Sequence, residues 1–482
     1  MSNAKLRNAE RPPPDPELVA IARYVLGELE TSAEVRDTAR LCFMDALGCG
    51  LLALSYPACA ALLGPIVEGA EMPGGARVPG TSFQLDPVRA AFNIGCAIRW
   101  LDYNDTWIAA EWGHPSDNIG GVLAVADWLS PHNRAAGQAP LLMRDVLTAM
   151  IKAYEIQGVL ALDNAFNRVG LDHVLLVRIA STAVVSGLLG CNLEQVINAV
   201  SNAWLDGAPL RVYRQAPNTG SRKSWAAGDA TSRGVWHALN ALRGEMGYPS
   251  ALSTPQWGFQ EVLNRGLAIT RPRAYGTYVM ENVLFKISFP AEFHGQTACE
   301  AAVRLHPLVR DRLGDISHVL IETQESALRI IDKTGPLANP ADRDHCLQYM
   351  VAVCLIRGDL TAADYEQAMA SDPRIDRLRG LTNVRENANY VAGYRDPDRR
   401  SIGNAVQVFF TDGTATPRIE IEYPIGHWRR RTEALPLLRS KLERNLASRL
   451  TARRVEQLMG IGSERTRFEA MSVPDFIDLT LP

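Results

Sequence analysis

The densest group of acids, bases and hydrogen-bonding side chains lies in residues 99–130, RWLDYNDTWIAAEWGHPSDNIGGVLAVADWLS. Asp102, Asn104, Asp105, Thr106, Glu111, His114, Ser116, Asp117 and Asn118 crowd one loop between two helical patterns. So many polar groups beside apolar helices are costly unless they are used or satisfy one another. Asp117 and Asn118 serve equally well as caps of the following helix, and Asp102 as a cap of the turn before. His114 reads differently, because an imidazole titrates near neutrality and can give or take a proton, as an elimination requires.

Four further stretches carry chemistry only in company. Residues 163–173 (DNAFNRVGLDH) set His173 at the head of an apolar helix, where a histidine by itself reads as structural. Residues 218–234 (NTGSRKSWAAGDATSRG) put Arg222 and Lys223 before a small-residue helix whose amides and dipole favour an anion. Alone, that pair reads as a solvated basic turn, and GDATSRG lacks the Gly-Lys-Ser/Thr ending of a phosphate loop. Residues 285–294 (FKISFPAEFH) place Lys286, Glu292 and His294 where the chain changes texture, a position that favours ligand sites but also suits solvated residues. Residues 341–357 put His345 and Tyr349 four apart on one helix face, where each alone reads as packed with its polar end satisfied. Residues 427–431 read as charged surface.

The elements that must position these residues fall into two textures. From residue 15 to about 284, apolar residues recur three and four apart, as in 17–29, 142–162 and 194–205. Asp15 with Glu17, Ser32 with Glu34 and Asn192 with Glu194 mark helix starts. After Pro290, residues 318–323 (HVLIET) read as a strand, and 405–410 and 418–423 as two strands flanking a turn at Thr411-Asp412-Gly413-Thr414. Helical patterns occupy 343–357 and 361–369 between them, and 435–450 and 452–459 after Pro424. A mainly α fold is expected: a large all-helical domain over 1–284, a smaller inserted α+β lid domain over 285–425, and C-terminal helices, 426–482, returning to the helical domain. With 482 residues, one core is not enough and two domains are expected.

Composition excludes several classes. Hydrophobic residues at 47% and charged residues at 21% are those of a globular protein and leave no case for disorder. Lys plus Arg (50) fall below Asp plus Glu (53), a net charge of -3, so nucleic acid is not an expected partner. The start, MSNAKLRNAERPPPDPE, shows neither a secretory nor a transit pattern. The longest apolar stretch, 174–190, is interrupted by Arg178 and falls short of a membrane span. A cytoplasmic protein without a membrane partner is expected. The cysteines, Cys42, Cys49, Cys59, Cys96, Cys191, Cys299, Cys346 and Cys354, include no Cys-x-x-Cys pair and read as small core residues in a reducing compartment. That spacing lacks the paired ligands of a cubane iron–sulfur cluster, and no clustered histidines offer a metal site, so no cofactor and no metal are expected.

Taken together and in order, LDYNDTWIAAEWGHPSDN, NRVGLDHVLLV, APNTGSRKSWAAGDATSRG, GYPSAL, YVMENVLFKISFPAEFH, NPADRDHC and EYPIGH resemble the MmgE/PrpD family, from Asp15 to the C-terminus. The resemblance implies a helical domain with a smaller α+β lid, a homodimer, and a cofactor-free hydro-lyase. The activity it implies is loss of water from 2-methylcitrate to give 2-methyl-cis-aconitate, in the methylcitrate cycle of propionate degradation. It places His114, Asp102, His173 and Tyr349 in the catalytic set, and Thr106, Arg222, Lys223, Lys286 and His294 in substrate binding. His114 is expected to be the main proton-transfer residue, with Asp102 orienting it or sharing the proton. His173 is expected to be a second acid/base or a carboxylate ligand, and Lys223, Lys286 and Arg222 fixed cations for a small-molecule tricarboxylate. The related cis-aconitate decarboxylases have a shorter link before His-Pro-Ser, where this chain carries 108–113, and a histidine after Phe-Pro-Ala where this chain has Glu292. Those departures favour dehydration over decarboxylation of cis-aconitate. The same scaffold could also epimerise a dicarboxylate, or bind a tricarboxylate without turning it over. The crowding of proton-transfer groups around His114 argues against a pure binder.

Overall fold

The computed structural model describes residues 10–482; residues 1–9, the start of the N-terminal stretch read above for a leader pattern, lie outside the described residues. The fold is mainly helical, with one four-stranded mixed sheet and, within the first part expected to be all-helical, a two-stranded antiparallel ribbon pairing Ala76–Arg77 with Gln84–Leu85. Its first part comprises α1 (Pro16–Leu26), α2 (Ala33–Ala53), α3 (Pro87–Arg99), α4 (Ile119–Ala135), α5 (Met143–Ala161), α6 (Val174–Leu188), α7 (Leu193–Leu205) and α8 (Arg222–Leu242). Ser32 accepts from the Val35 amide, and Asn192 and Gln195 close a reciprocal capping box, as their spacing predicts. Asp15 does not cap α1: its carboxylate accepts from the Leu252 amide and the Ser253 hydroxyl and so ties the chain start to a distant loop.

Three of these helices approach so closely that only glycine fits between them. A Cβ on Gly95 of α3 would lie 2.9 Å from the Gly228 Cα of α8, and one on Gly120 of α4 would lie 2.6 Å from the Ala91 carbonyl oxygen. This contact fixes the end of α3, which carries Arg99, against the start of α8, which carries Lys223.

The mixed unit contains α9 (Gln296–Val309), β1 (Ile316–Thr323), α10 (Leu347–Arg357), β2 (Thr382–Glu386), β3 (Asn404–Phe410) and β4 (Ile419–Ile421). The sheet order is β2-β1-β3-β4, with β1 parallel to β2, antiparallel to β3, and β3 antiparallel to β4 in the register Asn404 to Ile421. Edge strand β2 is not anticipated by the sequence pattern: TNVRE has no fully buried residue and so no alternation to read. The helix expected over 361–369 is two short pieces, Ala362–Tyr365 and Gln367–Ala370. Helices α11 (Arg431–Ala447) and α12 (Ala452–Ser463) then return to pack on α2.

Two main cores result. One draws buried residues from Leu18 through Ile287 and again from Ile425 through Ile477; the other draws them from Leu284 through Ile421 together with Ile108 and Trp112. The polar loop after α3 therefore inserts its apolar tip into the second core. No helix among the described residues is long and apolar enough to cross a membrane.

Candidate active site

A cavity lies between the two cores. Its walls are Arg99, Asp102, Thr106, Ile108, Trp112, His114, His173, Arg211, Arg214, Glu292, Phe293, Ile330 and His345.

His114 is held at both ring nitrogens. Nδ1 lies 2.7 Å from the Asp105 carbonyl oxygen, to which it donates, and Nε2 lies 2.9 Å from Nη2 of Arg99, from which it accepts. Burial and the neighbouring Arg99 hold the imidazole well below its ordinary pKa, so it is neutral. The Asp105 peptide is fixed in turn by its own side chain, which accepts from the Ser116 amide and hydroxyl and from the Tyr154 hydroxyl. Asp117 and Asn118 belong to this framework rather than to a helix cap. Asp117 accepts from Asn104, and Asn118 donates to the Gln157 side chain. Burial pushes Asp105 up to about 6 and Asp117 up to about 7.

Asp102 adopts φ +50°, an unusual conformation for a residue other than glycine. Its carboxylate meets Arg99 at 2.9 Å, makes a short contact with the Lys286 ammonium, and lies 3.9 Å from Lys223. Burial pushes its pKa up, but Arg99, Lys286 and Lys223 together hold it well below the carboxylate range. It stands 4.0 Å from His114 Nε2, too far for a hydrogen bond, so it neutralises cations instead of sharing the His114 proton. Burial lowers Lys286 despite this partner.

His173 has both ring nitrogens buried without a hydrogen-bond partner, and its ring centroid is 5.8 Å from that of His114. The preceding Asp172 is claimed by Arg214, which grips both carboxylate oxygens, while Arg211 lies 3.8 Å away. Arg211 stacks over Trp112 at 4.9 Å and sits 3.6 Å from Glu111, yet its Nη1 has no hydrogen-bond partner. Burial pushes Glu111 up to about 7, against the pull of Arg211. From the other unit, His345 Nδ1 lies 2.7 Å from an Asp344 oxygen whose partner oxygen accepts from Lys223, also at 2.7 Å.

The structure therefore brings Asp102, Thr106, His114 and His173 to one cavity and sets Lys223 and Lys286 directly behind its carboxylates. It turns three expected residues elsewhere. Arg222 is 40% exposed, pairs with Asp229 and stacks over Trp225, because it begins α8 on the face away from the cavity. Tyr349 donates to the Asp364 carbonyl and stacks on Tyr365. His294 is buried between Glu292 and Tyr394, behind the wall, where it braces Glu292; burial pushes that carboxyl up but His294 holds it at about 2. His427 also departs from the surface reading: it is fully buried and packs on Trp428.

Arg99, Arg211, Arg214 and the Asp344–His345 pair are wall residues or supports that the sequence motifs do not assign. The adjacent acid and imidazole in DH, present at both 172–173 and 344–345, is the signal that marks two of them. Asp102, Asp344 and His345 bring ligand-type atoms within 4.8 Å of one another. Lys223 and Lys286 already neutralise those carboxylates, so the trio forms an ion-paired cluster and not an open cation site.

A family model described as the MmgE/PrpD N-terminal domain matches residues 19–271, and one described as the MmgE/PrpD C-terminal domain matches 289–462. The chain is 58% identical to a 2-methylcitrate dehydratase of Escherichia coli strain K12, over 99% of each chain. It is 59% identical to one of Salmonella typhimurium, over 97% of this chain and 98% of the other. It is 54% identical to a mitochondrial 2-methylcitrate dehydratase of Yarrowia lipolytica, over 99% and 92%.

Proposed function

The chain belongs to the MmgE/PrpD family, and from that premise we propose that it is a hydro-lyase that dehydrates 2-methylcitrate to 2-methyl-cis-aconitate in propionate catabolism. The substrate carries three carboxylates, a tertiary hydroxyl, and a hydrogen on the neighbouring methyl-bearing carbon. Taking that hydrogen as a proton builds negative charge toward the attached carboxylate, and the hydroxide leaves only as it is protonated. The observation that carries the reading is the fixed, neutral imidazole of His114 beside Arg99 on a buried cavity wall. A carboxylate arriving at Arg99 frees His114 Nε2 to accept the proton. Arg211 and Arg214 offer further cationic contacts, Thr106 a hydroxyl, and His173 an unpaired imidazole for a carboxylate or the hydroxyl. Lys223 and Lys286 act from behind by keeping Asp344 and Asp102 ionised.

The chemistry needs no metal in this reading, since cationic side chains supply the charge stabilisation. The mixed unit acts as a lid over the cavity. A cytoplasmic homodimer completes the proposal, supported by exposed Leu210, Val212, Trp236, Trp257 and Leu267 on the helical unit. The test is to incubate purified protein with 2-methylcitrate, citrate and cis-aconitate, with and without chelator, and follow alkene absorbance and carbon dioxide. Chelator-insensitive alkene formation fastest from 2-methylcitrate is expected. Carbon dioxide from cis-aconitate would instead identify a decarboxylase, and binding without any product a non-catalytic protein.

A further inference from the structure

Elimination of water needs a proton donor as well as an acceptor, and the three imidazoles on the cavity wall are wired differently. His114 has a neutral carbonyl behind Nδ1 and a guanidinium at Nε2, a setting that opposes a positive ring. His173 has no hydrogen bond to fix its tautomer, and Asp172, 3.5 Å from its Nδ1, is committed to Arg214. His345 alone has a carboxylate oxygen at hydrogen-bond distance, Asp344 at 2.7 Å from Nδ1. Its Nε2 makes no hydrogen bond among the described residues, an Asp102 oxygen lies 4.0 Å from it, and the residue lines the cavity.

We infer that Asp344 and His345 form the second half of the proton-transfer machinery, with His345 Nε2 protonating the departing hydroxide while His114 Nε2 accepts the proton from the adjacent carbon. The step balances. The C–H bond breaks and its proton passes to His114, the electron pair forms the C=C bond, and the C–O bond breaks as oxygen takes the His345 proton and leaves as water. Exchange with solvent strips His114 after product release, and His345 takes up its proton as the next trianion binds. The carboxylate behind Nδ1 stabilises the imidazolium and fixes which nitrogen faces the substrate. The charged groups around His345 are Asp344 on its own segment, Lys223 at the start of α8, Asp102 on the loop after α3, and Glu292 before α9. Burial and Lys223 keep the ring below its ordinary value in the empty site, and a bound trianion adds the negative charge that reloads it.

This assignment rests on the dehydratase reading, and the experiment separates the two. Turnover of 2-methylcitrate is measured against pH for the native enzyme, His345→Asn and Asp344→Asn, with tricarboxylate binding by calorimetry and melting temperature on the same preparations. His345→Asn is expected to lose about 10²-fold in kcat, with affinity and melting little changed. Asp344→Asn is expected to keep part of the activity while the basic limb of its kcat profile moves to lower pH by roughly a unit, because its imidazolium loses a carboxylate partner. A folded His345→Asn with near-native kcat, or an unmoved basic limb in Asp344→Asn, overturns the assignment alone. If His345→Asn fails to fold, the Asp344→Asn limb decides. A native enzyme that forms no alkene overturns the dehydratase reading and this assignment with it.

Discussion

With its Nδ1 proton committed to the Asp105 carbonyl, His114 has one nitrogen left for chemistry, and Arg99 keeps that nitrogen unprotonated. Asparagine at this position keeps polarity but cannot exchange a proton near neutral pH. His114→Asn should therefore lower kcat by about 10²-fold or more while calorimetry still registers tricarboxylate binding. A merely structural histidine would instead lower the melting temperature and spare the turnover of the folded fraction. Arginines are expected to divide in the same way. Arg211, whose Nη1 on the cavity wall makes no hydrogen bond, should raise KM by about tenfold when changed to Gln, with a smaller effect on kcat. Arg222→Gln, on the exposed side of α8, should leave both constants near native. Asp117 supplies a pH signature. Burial raises its pKa to about 7, so the stability tied to its protonated form is present below the ordinary carboxylate range and lost as pH rises through about 7. Asp117→Asn mimics the protonated form. Its melting temperature relative to the native protein should rise by a few degrees between pH 5 and pH 8, and a constant difference would show that Asp117 does not titrate there.

At the scale of elements, the site depends on a helix that carries none of its wall. Lys441, fully buried on α11, donates to Asp45 of α2 at 3.0 Å and to the carbonyls of Tyr103 and Lys286 at 2.7 Å each. It thereby clamps the residue after Asp102 to the strand-like segment that supplies Lys286. Lys441→Met should reduce kcat by about tenfold through misplacement of that pair, and it should lower the melting temperature because Asp45 is left buried and unpaired. Adding Asp45→Asn should restore much of the melting temperature but not kcat. Recovery of both would reduce the lysine to a purely structural role. Nothing in the local pattern of 431–447 announces this contact, since it depends on three segments far apart in sequence. What the sequence does carry is local: amphipathic periodicity locates α5 and α7, alternation locates β1 and β3, and the crowding of polar residues locates the loop around His114. Tyr349 and His345 share a helix-like spacing, but a turn at Asp344 and His345 and an extended Cys346 precede α10, which sends His345 to the cavity and Tyr349 to Asp364. Spacing alone could not separate them.

At the scale of the whole molecule, the cavity exists only because two units meet, and its apolar wall draws on both. Ile108 and Trp112 come from the loop after α3, Phe293 and Ile330 from the mixed unit, and all four line the cavity that holds the arginines and histidines. A tricarboxylate satisfies the polar wall whether or not it carries a methyl group. The apolar wall is then the part able to tell 2-methylcitrate from citrate, and one methyl group in a hydrophobic pocket is worth about 1–3 kcal/mol, or roughly 10–200-fold. Filling that space from the mixed unit tests the idea without touching a proton-transfer group. Ile330→Phe should lower kcat/KM for 2-methylcitrate by about tenfold or more while changing that for citrate much less, so that the preference narrows or reverses. Side-by-side kinetics with the two substrates, on protein of unchanged melting temperature, is the measurement. Equal losses with both substrates would place the methyl group elsewhere and leave Ile330 as packing between the units.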